Sequence, residues 1–229
     1  MNRRPIIYGL DIETDTRIDG LDPSVARVVT VALSAPGHDE VFTGPEIDLL
    51  DALDERLAEL EPGVLATWNG GAFDLPFLED RARRVHVSLG LHLAADPTIR
   101  LGGTPLPGHQ GAYRGSWYAH KHLDAYRVYR SDVGLMLRVS CSLKSMARFI
   151  GLTPVEVDRT RIHDLSREAL HAYATSDARL ARILTERRWP SAARHVDRLP
   201  QLANGHGKHR ARTPGVRTVG PIAATPLSA

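Results

Sequence analysis

IIYGLDIET, residues 6–14, is the stretch on which the reading of the fold turns. Ile6 to Leu10 reads as a buried strand, a short and largely apolar run of the kind a sheet covers on both faces. Asp11 and Glu13 close that run. Two residues apart on an extended chain, their side chains point the same way. A strand delivering two carboxylates to one face is either a solvated strand end or part of a site that gathers positive charge.

Downstream of it, Arg27 to Ala35 reads as a second strand and Glu40 to Thr43 as a short third. A loop rich in Asp and Gly, Asp15 to Pro23, separates the first two, and the three form an antiparallel meander. Pro45 to Leu60 follows as an amphipathic helix, with Ile47, Leu50, Leu53, Leu57 and Leu60 at helical spacing. Val64 to Trp68 is a fourth strand, and Asn69-Gly70-Gly71 turns the chain into a helix whose inner face is Leu75, Leu78, Ala82 and Val85. Asp74 lies in its opening turn, where the helix N-terminus favours the ionised carboxylate.

Residues 86–120, broken by Pro97, Gly102, Gly103, Pro105, Pro107 and Gly108, read as a hairpin or lid. His122 to Tyr126 is a fifth strand carrying Asp124. Ser142 to Ile150 is a short helix, and Ser166 caps a last helix over roughly 167–188. This order predicts an α/β architecture of the ribonuclease-H-like kind. Its mixed five-stranded sheet has three antiparallel strands, then two parallel, and is flanked by helices.

Composition sets the frame. Hydrophobic residues at 42% and charged residues at 24% are those of a globular domain, and the lone Cys141 excludes a disulfide framework or a cysteine-rich zinc site. The apolar run near Met1 is too short for a signal peptide or a membrane span, so a cytoplasmic protein without membrane contact is expected. The net charge is +2, but Arg198, Lys208, Arg210, Arg212 and Arg217 face no acid after them, which leaves residues 1–197 at −3. The expected division is a folded domain over 1–190 and a basic, flexible Pro/Gly/Ala-rich tail over 191–229.

Asp11, Glu13, Asp74 and Asp177 are oxygen donors of the type hard cations prefer, and Tyr173 lies one helical turn before Asp177 on the same side. Such a set suits two divalent cations, Mg²⁺ or Mn²⁺, held about 4 Å apart against a phosphodiester. At an ordinary pKa of about 10, the phenol suits orienting a water better than taking its proton. Asn69 and Phe73 are candidates for substrate contact, although the turn and the core also call for them. Thr14, Lys144 and Asp124 are further candidates at the rim. His109, His120 and His122 show no zinc spacing and are expected at the surface or in a substrate groove.

GLDIET, VVTVALS, WNGGAFDLPFL, HLDAYR, SLKSMARFIGL and YATSDARL, between Ile6 and Leu184, resemble the DEDD superfamily of 3′–5′ exonucleases. The chain is especially similar to the proofreading exonuclease domain of family B DNA polymerases. Where the histidine form would carry its histidine this chain has Ala172, and Tyr173 stands at the spacing of the tyrosine subclass. The resemblance implies that Asp11 bridges both metals, Glu13 and Asp177 complete the tighter site, and Asp74 holds the looser one. It further implies a 3′–5′ exonuclease releasing nucleoside 5′-monophosphates. No palm or fingers region follows in this sequence, so the exonuclease is expected to stand alone, a departure from that family. Nucleic acid is the expected partner, DNA ahead of RNA, with single-stranded or frayed ends preferred. An exoribonuclease of the same superfamily and a non-catalytic nucleic-acid-binding or polymerase-docking module remain the alternatives.

Overall fold

A computed structural model describes residues 4–99, 101 and 103–196. Its centre is a seven-stranded mixed sheet in the order β3-β2-β1-β4-β7-β6-β5. β1 (Ile6–Thr14) pairs antiparallel with β2 (Val28–Ala35), which pairs antiparallel with β3 (His38–Thr43). On its other side β1 pairs parallel with β4 (Gly63–Thr67), and β4 pairs parallel with β7 (His120–Asp124). The five expected strands are therefore present in the expected sense.

The sheet does not stop at five. β5 (Leu91–Ala95) and β6 (Tyr113–Trp117) add an antiparallel extension beside β7. Within residues 86–120 the hairpin is there, and it belongs to the sheet. Its anchor is distant in sequence: Asp54 accepts hydrogen bonds from Trp117 Nε1 at 2.7 Å, Gly90 N at 2.7 Å and the Tyr118 hydroxyl. Asp54 itself lies on α1 (Glu46–Glu59).

Strand alternation sorts β1 between two layers. Tyr8, Leu10 and Ile12 face α1 and α2 (Asp74–Arg84), packing with Leu49, Leu50, Leu53, Leu57, Leu75 and Leu78. Ile47, expected on the inner face of α1, is exposed, and Leu49 takes its place in the core. The opposite face of the sheet is covered by α6 (Arg167–Arg187), capped by the Ser166 hydroxyl accepting from Ala169 N. α6 crosses β1 closely because Gly9 has no side chain: a Cβ there would lie 1.9 Å from the Ala178 carbonyl oxygen.

Between β7 and α6 the chain forms α3 (Ala125–Tyr129), a π turn (Arg130–Gly134), a short α4 (Leu135–Leu137) and α5 (Leu143–Phe149). A 3₁₀ segment, Arg159–Asp164, precedes α6. A short α7 (Trp189–Ala192) follows it, and Trp189 and Val196 pack against the core beneath α6. The rest of the expected basic tail, including Arg198, Lys208, Arg210, Arg212 and Arg217, lies outside the described residues. Among the described residues no helix is long and apolar enough to cross a membrane.

Candidate active site

Asp11 and Glu13 lie inside β1, one strand period apart on the face turned toward α6. Strand pairing with β2 continues through them to Thr14, so the carboxylates sit within the sheet, beyond the strand end expected from Leu10. Asp74, in the first turn of α2, accepts a hydrogen bond from the backbone N–H of Ile12 and is thereby tied to the same stretch of β1. Tyr173 and Asp177 come from α6, one turn apart and both buried. Lys144 arrives from α5: its ammonium pairs with Asp177 and stands 4.5 Å from the centre of the Tyr173 ring.

Burial and mutual repulsion dominate the electrostatics. Burial first, then the Glu13 and Asp74 charges, hold the Asp11 carboxyl well above the usual carboxylate range. Burial pushes Glu13 up to about 7. Asp74 is also raised to about 7, by burial and then by the charge of Asp124. Burial thus outweighs the helix N-terminus that was expected to keep Asp74 ionised. Lys144 is lowered to about 8 by burial, against the pull of Asp11 and Glu13. The Tyr173 phenol is raised by burial and by Glu13, which keeps its hydroxyl protonated.

One oxygen has no partner. Asp11 Oδ2 is buried without a hydrogen bond, an arrangement that costs free energy unless a cation or donor meets it. As placed, the described side chains form no ready-made cage of three acidic or histidine ligands. The donor set nevertheless fits hard divalent cations, being carboxylate oxygen brought together by one strand and two helices.

The other candidates divide. Asp124 accepts from Asn69 N at 2.8 Å and from Tyr126 N at 3.1 Å, capping α3 while its charge acts on Asp74. Asn69 takes the left-handed conformation at φ 68° to make the turn. Phe73 packs on Phe77 at 5.3 Å and on the core. The Thr14 hydroxyl donates to the Gly20 carbonyl at 2.6 Å, closing the loop after β1.

His120 and His122, expected at the surface or in a groove, are buried: His120 bonds the Leu57 carbonyl at 2.9 Å and His122 bonds Thr67 Oγ1 at 2.8 Å. Their alternation on β7 turns them inward. Arg159 was not anticipated. Its charge acts on both Glu13 and Tyr173, and its 3₁₀ segment is latched to the loop after β1 by His163 Nδ1 and Thr16 Oγ1 at 2.7 Å. No local pattern announces it, because only the fold brings residue 159 to residue 13.

Known proteins are similar to this chain. The chain is 28% identical over 208 residues to the catalytic polypeptide of DNA polymerase epsilon from Eremothecium gossypii, covering 76% of this chain and 9% of that protein. It is 28% identical over 148 residues to the corresponding polypeptide of Saccharomyces cerevisiae, covering 62% of this chain and 6% of that protein. The chain thus spans less than a tenth of the length of these relatives. Among solved structures, the family B DNA polymerase of Pyrobaculum calidifontis superposes with a TM-score of 0.63 at 22% identity, over 82% of this chain and 25% of that one. The resemblance to a DEDD 3′–5′ exonuclease-like domain is borne out. With the model of the RNase_H superfamily matching residues 9–162, well over half its length, the chain belongs to that superfamily.

Proposed function

We propose that the chain is a metal-dependent 3′–5′ exonuclease that hydrolyses DNA from its 3′ end and releases nucleoside 5′-monophosphates, acting in the cytoplasm on single-stranded or frayed ends. The observation that supports this reading is the buried Asp11 oxygen without a partner, on a carboxyl that feels the charges of Glu13, Asp74 and Lys144 and acts on Tyr173, with Asp177 paired to that same lysine.

Asp11, Glu13 and Asp177 would hold one divalent cation, and Asp11 and Asp74 a second. When bound, Mg²⁺ or Mn²⁺ supplies an activated water and charge neutralisation at the leaving oxygen. A water oxygen bonds to phosphorus as the bond to the 3′ oxygen of the penultimate nucleotide breaks, and that oxygen takes up a proton. Tyr173, held protonated, orients the water through its hydroxyl and is no base at neutral pH. Lys144 brings a positive charge to the position where a phosphate oxygen gains negative charge.

Matched 5′-labelled DNA and RNA oligonucleotides, single-stranded and duplex, test the reading with Mg²⁺ and with chelator. The expected result is a descending ladder on single-stranded DNA that chelator abolishes. A ladder on RNA alone would reassign the substrate, and no shortening of any oligonucleotide would reject the enzyme.

A further inference from the structure

The stretch from Leu135 to Ser140 is exposed throughout, and it is apolar where exposure should make it polar. Leu135 is 72% exposed, Met136 78% and Leu137 52%, with Val139 beside them. Three consecutive large apolar side chains in solvent are not what a surface turn selects. The lobe is also not a frayed loop. A Cβ on Gly134 would lie 2.5 Å from Cys141 Sγ, so the two ends of the lobe touch. Arg138 N bonds the Gly134 carbonyl at 3.0 Å, and Arg138 holds the left-handed conformation at φ 51°, rare for a residue with a long side chain.

The segments flanking the lobe lead from and to residues of the candidate site. Asp124, which acts on Asp74, caps the helix leading out. Lys144, which pairs with Asp177, lies three residues after Cys141, whose carbonyl accepts from Trp68 Nε1 at 3.2 Å next to Asn69. The lobe is basic as well as apolar. Arg127, Arg130 and Arg138 lie within residues 125–142, Arg127 acting on the Asp124 carboxylate and Arg130 lying over the Tyr126 ring, while Asp132 is paired with Arg188. Arg138 has no acidic partner among the described residues.

We infer that the Leu135-Met136-Leu137 lobe is a wedge for duplex DNA ends: it inserts between the last base pairs and frees the 3′ strand for the site beside it. Aliphatic side chains inserted at base steps part and kink duplexes in this way, with neighbouring arginines on the phosphates. Charge and position favour nucleic acid over a protein partner as the occupant. The inference rests on the nuclease reading above and adds duplex ends to its substrates.

The test is opening, measured apart from cleavage. A blunt DNA duplex with 2-aminopurine at one 3′ terminus is titrated with the full chain in chelator, and fluorescence reports loss of stacking. The wild-type protein should raise the signal, and the triple variant Leu135→Ser, Met136→Ser, Leu137→Ser should lower that rise about tenfold while binding a single-stranded oligonucleotide within about twofold of wild type. The single-strand measurement also shows that the variant is folded. No rise with the wild-type protein overturns the wedge. An equal rise with the variant overturns it too, and returns the lobe to a protein-docking role. Because chelator is present throughout, failure here is distinct from failure of the nuclease reading, which the Mg²⁺-dependent ladder on single-stranded DNA decides.

Discussion

The ammonium of Lys144 is bonded to the carboxylate of Asp177, so a lysine from α5 lies among the acidic side chains proposed to bind metal. A divalent cation ligated by Asp177 has to compete with that ammonium. Lys144→Met should therefore tighten Mn²⁺ binding by about threefold to tenfold while slowing cleavage by about 10- to 100-fold, since the same charge would face the phosphate in the transition state. Metal-induced thermal shifts and single-turnover cleavage measure the two effects separately. A rate equal to wild type would remove the lysine from the mechanism.

Asp11→Asn keeps the shape of the side chain and removes a charge that burial and two neighbouring carboxylates oppose. Cleavage should fall by at least about 10³-fold. In chelator the variant should melt no lower than wild type, because the lost charge was repelled in the folded state. Mg²⁺ should raise the melting temperature of wild type and leave that of the variant unmoved. Retained activity, or a melting temperature well below wild type, would contradict this account of Asp11.

Tyr173→Phe deletes one oxygen from a buried ring that also packs beneath Lys144. Cleavage is expected to fall about 10- to 100-fold with the metal-induced thermal shift intact, as suits a hydroxyl that orients a water and binds no cation. A variant that lost metal binding as well would place the phenol among the ligands.

His120 is fully buried, with its Nε2 on the Leu57 carbonyl and its Nδ1 without a partner. Burial lowers its pKa, so the unfolded chain takes up the proton more readily than the folded one. Its contribution to stability is complete above the unfolded value of about 6.5 and is lost as pH falls below it. Urea midpoints at two pH values either side of that point should differ more for wild type than for His120→Gln. Equal differences would mean that His120 does not titrate with unfolding.

Asp54→Ala leaves three donors without their acceptor, a buried one on Trp117 and part-buried ones on Gly90 and Tyr118. The cost is expected at about 3–5 kcal/mol, concentrated in the β5–β6 extension. Denaturant unfolding followed by Trp fluorescence measures it, and a loss below about 1 kcal/mol would show that the hairpin is held by other contacts.

What was legible in the sequence was local. β1, β2, β4 and α6 announced themselves through apolar runs, caps and breakers, and the acidic clusters could be read because their spacing suits the strand, turn or helix that carries each. β5 and β6 were not legible as sheet, since their pairing depends on Asp54, 36 residues from Gly90 and 63 from Trp117. The inward turn of His120 and His122 was hidden for the same reason, as was Arg159. Lys144 was noticed as a residue, but its contact with Asp177 spans 33 positions and belongs to the packing of α5 on α6.

Gly9 has a consequence for the spacing of the candidate site. The hydrogen atom it carries in place of a side chain lets α6 rest directly on β1, and Ala178, the residue it meets, is adjacent to Asp177. Two residues along the strand from Gly9 is Asp11. The gap between the two carboxylates is thus gauged by a feeler blade one hydrogen thick, placed next to the site and not within it. Thickening that blade by a single methyl group would shim the helix outward and put the site out of calibration, with every acidic residue still in place.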